Sequence, residues 1–263
     1  MTATRQRRAP ARQEVVSTTE QSSAVQQGGA PGKDNPVPPG YKQTEVGVIP
    51  VDWKVASIGL HFEFKNGLNK AKEFFGHGTP IINYMDVYEK PGLKRCDISG
   101  SVSLSADEIR NYSAHQGDVF FTRTSETLEE IGMSSVLLED IPSAVFSGFV
   151  LRGRPVTDTF ELAFRKYCFR SREVRRQIVS RGSYTTRALT NGRQLSMVKV
   201  PLPPTLAEQR AIATALSDVD ELIESLGKLI AKKRAINTGT MQHLLTPPGQ
   251  PRQKRLPGFC GEW

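Results

Sequence analysis

Between Thr205 and Leu245 the apolar positions fall into a regular rhythm. Ile212, Leu216, Val219, Ile223, Leu226 and Ile230 step by four and three in alternation, the spacing of a heptad seam. Ala215, Leu222, Leu229 and Ile236 widen the stripe to a third heptad position, so the helix is expected to face more than one neighbour. Thr205 with Glu208 has the form of a capping box, just after Pro203-Pro204. Thr246-Pro247-Pro248-Gly249 stops the pattern. Asn237 falls on the seam, where a polar residue fixes register at some cost in stability. Forty residues of helix make ~60 Å, whereas a ~150-residue globule has a radius of gyration of about 15 Å. A helix laid on its own domain would leave much of the stripe overhanging. The pattern therefore predicts a free-standing helix that needs another chain.

Upstream the periodicity is shorter and mixed. "VFFT" (Val119 to Thr122) follows the turn Gly117-Asp118, and "SSVLL" (Ser134 to Leu138) and "AVFSGFVL" (Ala144 to Leu151) are further strands. "TFELAFRKYCF" (Thr159 to Phe169) and "SREVRRQIVS" (Ser171 to Ser180) read as helices. "SMVKVPLPP" (Ser196 to Pro204) reads as a closing strand. This predicts an α/β (α+β) domain over 41–203, a long helix over 204–246 and an extension over 247–263. Residues 1–40 are rich in Gln, Ser, Ala, Gly and Pro and poor in large apolar side chains. Such a stretch is expected to be a disordered tail.

Charge adds a partner class. The 263-residue chain carries 35 Lys and Arg against 27 Asp and Glu, a net +8, which favours a polyanion such as nucleic acid. The basic residues concentrate between Arg165 and Arg193, where Glu173 is the one acid. On a helix Arg172 and Arg176 share one face and Val174 and Ile178 another. "RGSYTTRALTNGR" then reads as a polar loop holding Arg181, Tyr184, Thr186 and Arg187, side chains suited to phosphates and base edges. A second cluster, Arg123, Thr124, Ser125 and Glu126, emerges at the end of a strand. There Arg can grip guanine and Glu can accept from cytosine. Lys65, Lys70 and Lys72, beside glycines, form a third candidate. The competing reading of each cluster is a solvated face or a loop capping its own backbone.

Catalytic signatures are absent from the sequence. There is no G-x-G-x-x-G, no P-loop and no G-x-S-x-G. His61, His77, His115 and His243 have no ligand spacing, and Cys96, Cys168 and Cys260 lie far apart, so no metal site is expected and a reducing cytoplasm is the default. "EFK" (Glu63 to Lys65) with Asp52 upstream imitates a metal-dependent nuclease core, but no well-placed second carboxylate completes it. No segment has the length of a membrane span. The expected role is binding.

The pieces resemble the DNA specificity subunit of type I restriction–modification systems. "PLPPTLAEQRAIATALSDVDELIESLGKLIAKKRAI" (Pro201 to Ile236) is similar to the passage from a target-recognition domain into its spacer helix. "YKQTEVGVIPVDWKV" (Tyr41 to Val55) resembles the start of such a domain, and "GDVFFTRTSETLEEIGMSS" (Gly117 to Ser135) a segment within one. The resemblance implies a chain without catalytic residues that reads double-stranded DNA and holds methyltransferase subunits and a restriction subunit. S-adenosylmethionine, ATP and Mg would belong to those partners, with no cofactor on this chain and no membrane partner. It implies antiparallel coiled-coil spacers between two recognition domains. "LPGFCGEW" (Leu256 to Trp263) echoes "GVIPVDW" (Gly47 to Trp53), and reads as the threshold of a second domain. The expectation is a half-subunit that pairs as a homodimer through Ile212, Leu216, Val219, Ile223, Leu226 and Ile230 and reads a palindromic site in two halves. The alternatives are a coiled-coil adaptor that ignores DNA, a truncated remnant that occupies modification subunits unproductively, and the nuclease built on Glu63 and Lys65.

Overall fold

The computed structural model describes residues 37–244. The tail expected over 1–40, except its last four residues, and the extension over 247–263 lie outside the described residues. The chain begins with a hairpin, β1 (Tyr41–Thr44) and β2 (Gly47–Pro50), followed by β3 (Lys54–Ser57) and β4 (Phe62–Asn66). β5 (Phe75–Ile82) leads into α1 (Tyr84–Glu89), then β6 (Gly92–Leu93), β7 (Ser101–Val102) and α2 (Ala106–Asn111). The middle is β8 (Val119–Thr122), β9 (Thr124–Ser125), β10 (Ser134–Leu137), β11 (Val145–Phe146) and β12 (Val150–Pro155). The rest is α3 (Leu162–Cys168), α4 (Arg172–Arg181), β13 (Ser183–Tyr184), β14 (Ala188–Leu189), α5 (Gly192–Ser196), β15 (Lys199–Leu202) and α6 (Leu206–Leu244).

The main sheet has the order β4-β12-β8-β10-β6, antiparallel except for the β10–β6 edge. Its inner strands β8 and β10 are buried on both faces, which explains the apolar run Val119–Phe121. Val119, Phe121, Val136 and Leu151 enter one core, while Phe120, Leu137 and Val150 enter the other. The first core is aromatic. Phe169 lies 5.5 Å from Phe62 and 5.6 Å from Phe121, centroid to centroid, with Phe160 beside it at 5.9 Å.

Two expected elements resolve differently. "AVFSGFVL" is two strands, because Gly148-Phe149 forms a turn between β11 and β12. The polar stretch after Arg181 is not a plain loop. It holds β13 and β14, which pair with each other and then with β9.

Both ends of the domain meet at the root of α6. β15 pairs with β3, and the Trp53 indole N–H donates to Glu208 at 2.9 Å. Glu208 is thus turned to Trp53, while its own N–H donates to the Thr205 hydroxyl at 3.1 Å. The expected capping box is half formed. Gln209 is buried and ties α6 to Glu161 and to the Thr159 carbonyl. Tyr167 of α3 donates to Asp220 at 2.8 Å. Beyond that contact the helix leaves the domain, and every side chain from Asp218 to Gln242 is exposed. One seam position needs correction. Ile212 is half-buried against the first core and serves the domain, so the free stripe begins at Leu216.

The two cysteines among the described residues differ in access. Cys96 is exposed and Cys168 is buried in α3. Burial pushes the Cys168 thiol pKa up and withholds the reactive thiolate. In a timed maleimide reaction read by peptide mass, Cys96 should be modified at once, and Cys168 only as fast as the domain unfolds.

Candidate nucleic-acid interface

Two clusters that lie about sixty residues apart in sequence form one site. Arg123 is the splice. Its N–H donates to the Phe149 carbonyl at 2.9 Å, and its own carbonyl accepts from the Thr190 N–H at 3.0 Å. This joins the main sheet to the small sheet β13-β14-β9. In that sheet Thr124 is paired with Leu189, and Ser125 with Ala188. Glu126 and Arg187 then meet in an ion pair of 3.3 Å. Both are largely exposed, so the pair contributes only ~0–1 kcal/mol and both groups stay open to a partner. Tyr184 and Thr186 are exposed on the same hairpin.

Arg123 is half-buried. Its Nη1 donates to the Gly148 carbonyl at 3.4 Å, while its buried Nε has no partner. The guanidinium is therefore positioned and keeps unused donors. Ser125 does not reach the surface as expected. It is buried, donating to the Glu130 carboxylate and accepting from the Tyr84 hydroxyl at 3.1 Å. Desolvation raises the Tyr84 pKa, with the Ser125 bond opposing it. Ser125 supports the sheet from below.

The basic run divides by direction. Val174 and Ile178 face the core, and Arg172 and Arg176 are exposed, as the spacing predicts. Arg165, Arg170 and Arg175 turn inward to carbonyls. Arg165 bonds Phe160 and Gly117, and Arg175 bonds Glu129. Arg170 bonds Ser134 at 2.6 Å and Val87 at 3.0 Å, and burial lowers its pKa to about 10. These three hold loops together. Arg181 is half-buried on the carbonyl of Gln177.

Two of the three lysines are taken up by α2. Lys65 donates to the Asn111 carbonyl at 2.7 Å, and Lys70 pairs with Glu108 at 2.7 Å. Both are engaged by α2. Lys72 is exposed. Among the described residues no group of three His, Cys, Asp or Glu could hold a metal ion. No described helix is long and apolar enough to cross a membrane.

Sequence reasoning missed Phe149 and the Tyr84–Ser125–Glu130 chain. The signal for Phe149 was present in its preceding glycine, which marks a turn within an apolar run. Nothing local pointed to Tyr84, because α1 reaches β9 only through the fold.

Comparison with known proteins agrees with this architecture. The family model of the type I restriction modification DNA specificity domain matches residues 50–232. A curated sequence named as the MjaX type I restriction enzyme specificity subunit of Methanocaldococcus jannaschii is 30% identical over 214 residues, covering 78% of this chain and 48% of its own. The MjaIX specificity subunit of the same organism is 26% identical, covering 72% and 42%. This chain thus spans about half the length of the curated relatives it matches. A solved chain from work on assembly and conformational transition of a type I restriction–modification system shares the fold, with a TM-score of 0.55, 19% identity and coverage of 74% and 45%. The α/β domain that runs into a long helix, together with the match over residues 50–232, places this chain in the type I restriction–modification DNA specificity family.

Proposed function

We propose that this chain reads a DNA sequence through the Arg123 splice and the β13–β14 hairpin, and pairs with a second copy through the stripe of α6. The observation that carries the reading is the joining of two separately polar segments into one exposed surface by Arg123. Arg123, Thr124, Glu126, Tyr184, Thr186 and Arg187 supply donors and acceptors suited to base edges. Arg172 and Arg176 supply positive charge for phosphates, which set position without reading sequence. The chain contributes no catalytic group. Its partners would be methyltransferase subunits, which carry S-adenosylmethionine, and a restriction subunit using ATP and Mg. A target adenine would have to leave the stack to be methylated. Two-fold pairing gives a palindromic target in two halves.

An adenine-methylation map of the host, with and without this gene, tests the whole reading. Loss of methylation at a two-part palindromic motif is the expected result. An unchanged map supports the adaptor or the remnant. At residue level, Arg187→Ala should cost ~1–3 kcal/mol of binding and relax the preference at one base position. Anisotropy titrations against single-base variants of the target measure this. Equal weakening on every sequence would reassign Arg187 to a phosphate.

A further inference from the structure

Phe149 belongs to no core cluster and is 56% exposed. Single exposed apolar residues are common on protein surfaces, so exposure alone decides nothing. Its backbone, however, is tightly held. The Val150 N–H donates to the Ser147 carbonyl at 3.0 Å, closing a turn with Gly148 and Phe149 at its tip. Gly148 donates to the Leu68 carbonyl at 2.7 Å, Ser147 to the Ile82 carbonyl at 3.0 Å, and Phe149 accepts from Arg123. Gly148 is closely approached, since a Cβ would lie 1.9 Å from the Asn69 Oδ1 and 3.1 Å from the Leu68 carbonyl oxygen. The turn is therefore fixed, yet the ring at its tip is left in water.

Its place in the ladder supplies the second observation. Val150 pairs with Thr122, so the next pair outward is Phe149 with Arg123. Cross-strand partners in an antiparallel pair project to the same side. An exposed aromatic residue on a fixed turn thus neighbours Arg123, the residue whose backbone joins the two sheets. An apolar anchor beside a positioned polar group is what a specific contact requires. In the DNA major groove the apolar feature on offer is the thymine methyl.

We propose that Phe149 is a specificity-determining residue that packs on a thymine methyl adjoining the base pair read by Arg123. This rests on the DNA reading above. The test is selection of target duplexes from a random pool by the full chain and by Phe149→Ala. The ring is exposed, so the variant should fold, and a melting curve checks that. The wild-type motif should contain a T·A pair whose preference disappears in the variant. Affinity for the wild-type site should fall ~5- to 150-fold, with binding to unrelated duplex and the salt slope unchanged. Deoxyuridine at that position should weaken the wild type and leave the variant unaffected. An unaltered motif and affinity in the variant would overturn the contact, and so would equal weakening on all sequences. If the wild type selects no motif at all, the DNA reading itself fails.

Discussion

Glutamate at both Ile223 and Leu226 should convert a dimer of this chain into a monomer. Both side chains are open in the single chain, exposed by 62% and 47%. A two-fold dimer would bury each from both copies. At ~1.5–3 kcal/mol for taking a fully exposed aliphatic side chain to full burial, the exposed parts of the four amount to ~3–6 kcal/mol. That raises Kd by at least ~10²-fold, before any repulsion between the new carboxylates. Sedimentation equilibrium reads the change directly. The recognition domain should melt as before, because every side chain from Asp218 to Gln242 is exposed in the isolated chain. A double variant that remains dimeric would remove the seam from the proposal. A wild type that is already monomeric would remove the dimer itself.

The charges on α6 favour one orientation. Asp218, Asp220, Glu221 and Glu224 lie in its first exposed turns, and Lys228, Lys232, Lys233 and Arg234 in the turns that follow. Antiparallel copies would set acid against base, whereas parallel copies would set like against like. The alternation of threes and fours then places Ile223 opposite Leu226, and Val219 opposite Ile230. The domain grips α6 around Ala213, about twelve residues from the resulting two-fold axis. At 1.5 Å per residue the two attachment points would lie ~36 Å apart, close to the ~34 Å of one DNA turn.

The parts of this chain that were legible in its sequence are those set by local period. Val119 to Thr122, Ser134 to Leu137, α3, α4 and α6 follow from apolar spacing and turn residues. The site is different, because it depends on pairing between distant segments. Thr124 and Leu189 are polar-loop residues until a ladder joins them. The same gap misplaced Ser125, which has the composition of a contact residue but is buried under the sheet by Glu130 and Tyr84. It also overcounted the basic surface. Arg165, Arg170 and Arg175 look like ligands in sequence, yet each donates to backbone carbonyls of distant loops or strands. Ile212 reads as a seam position because a heptad does not record where the domain ends along its helix.

Asp118→Ala should cost ~3–5 kcal/mol of folding stability, a large part of the ~5–15 kcal/mol that holds a typical domain. Asp118 is 1% exposed, and its carboxylate accepts from Arg154 Nε at 2.9 Å and Nη2 at 2.7 Å. It also accepts from the His115 N–H at 2.9 Å, which closes the turn before β8. Removing it leaves a half-buried guanidinium without its anion and a backbone donor without an acceptor. Arg154 would keep only the Ser113 carbonyl, at 3.0 Å. Asp118→Asn should recover part of the loss, because its amide oxygen can still take the His115 N–H but supplies no charge. Urea midpoints for the three proteins measure the series, and equal midpoints for wild type and Asp118→Ala would refute the account. Asp118 and Arg123 flank opposite ends of one four-residue strand, β8. The folded fraction of Asp118→Ala, measured in the cold, should therefore still select the wild-type DNA motif. A changed motif would mean that the strand's root tunes its reading end, and that stability and specificity are coupled through β8.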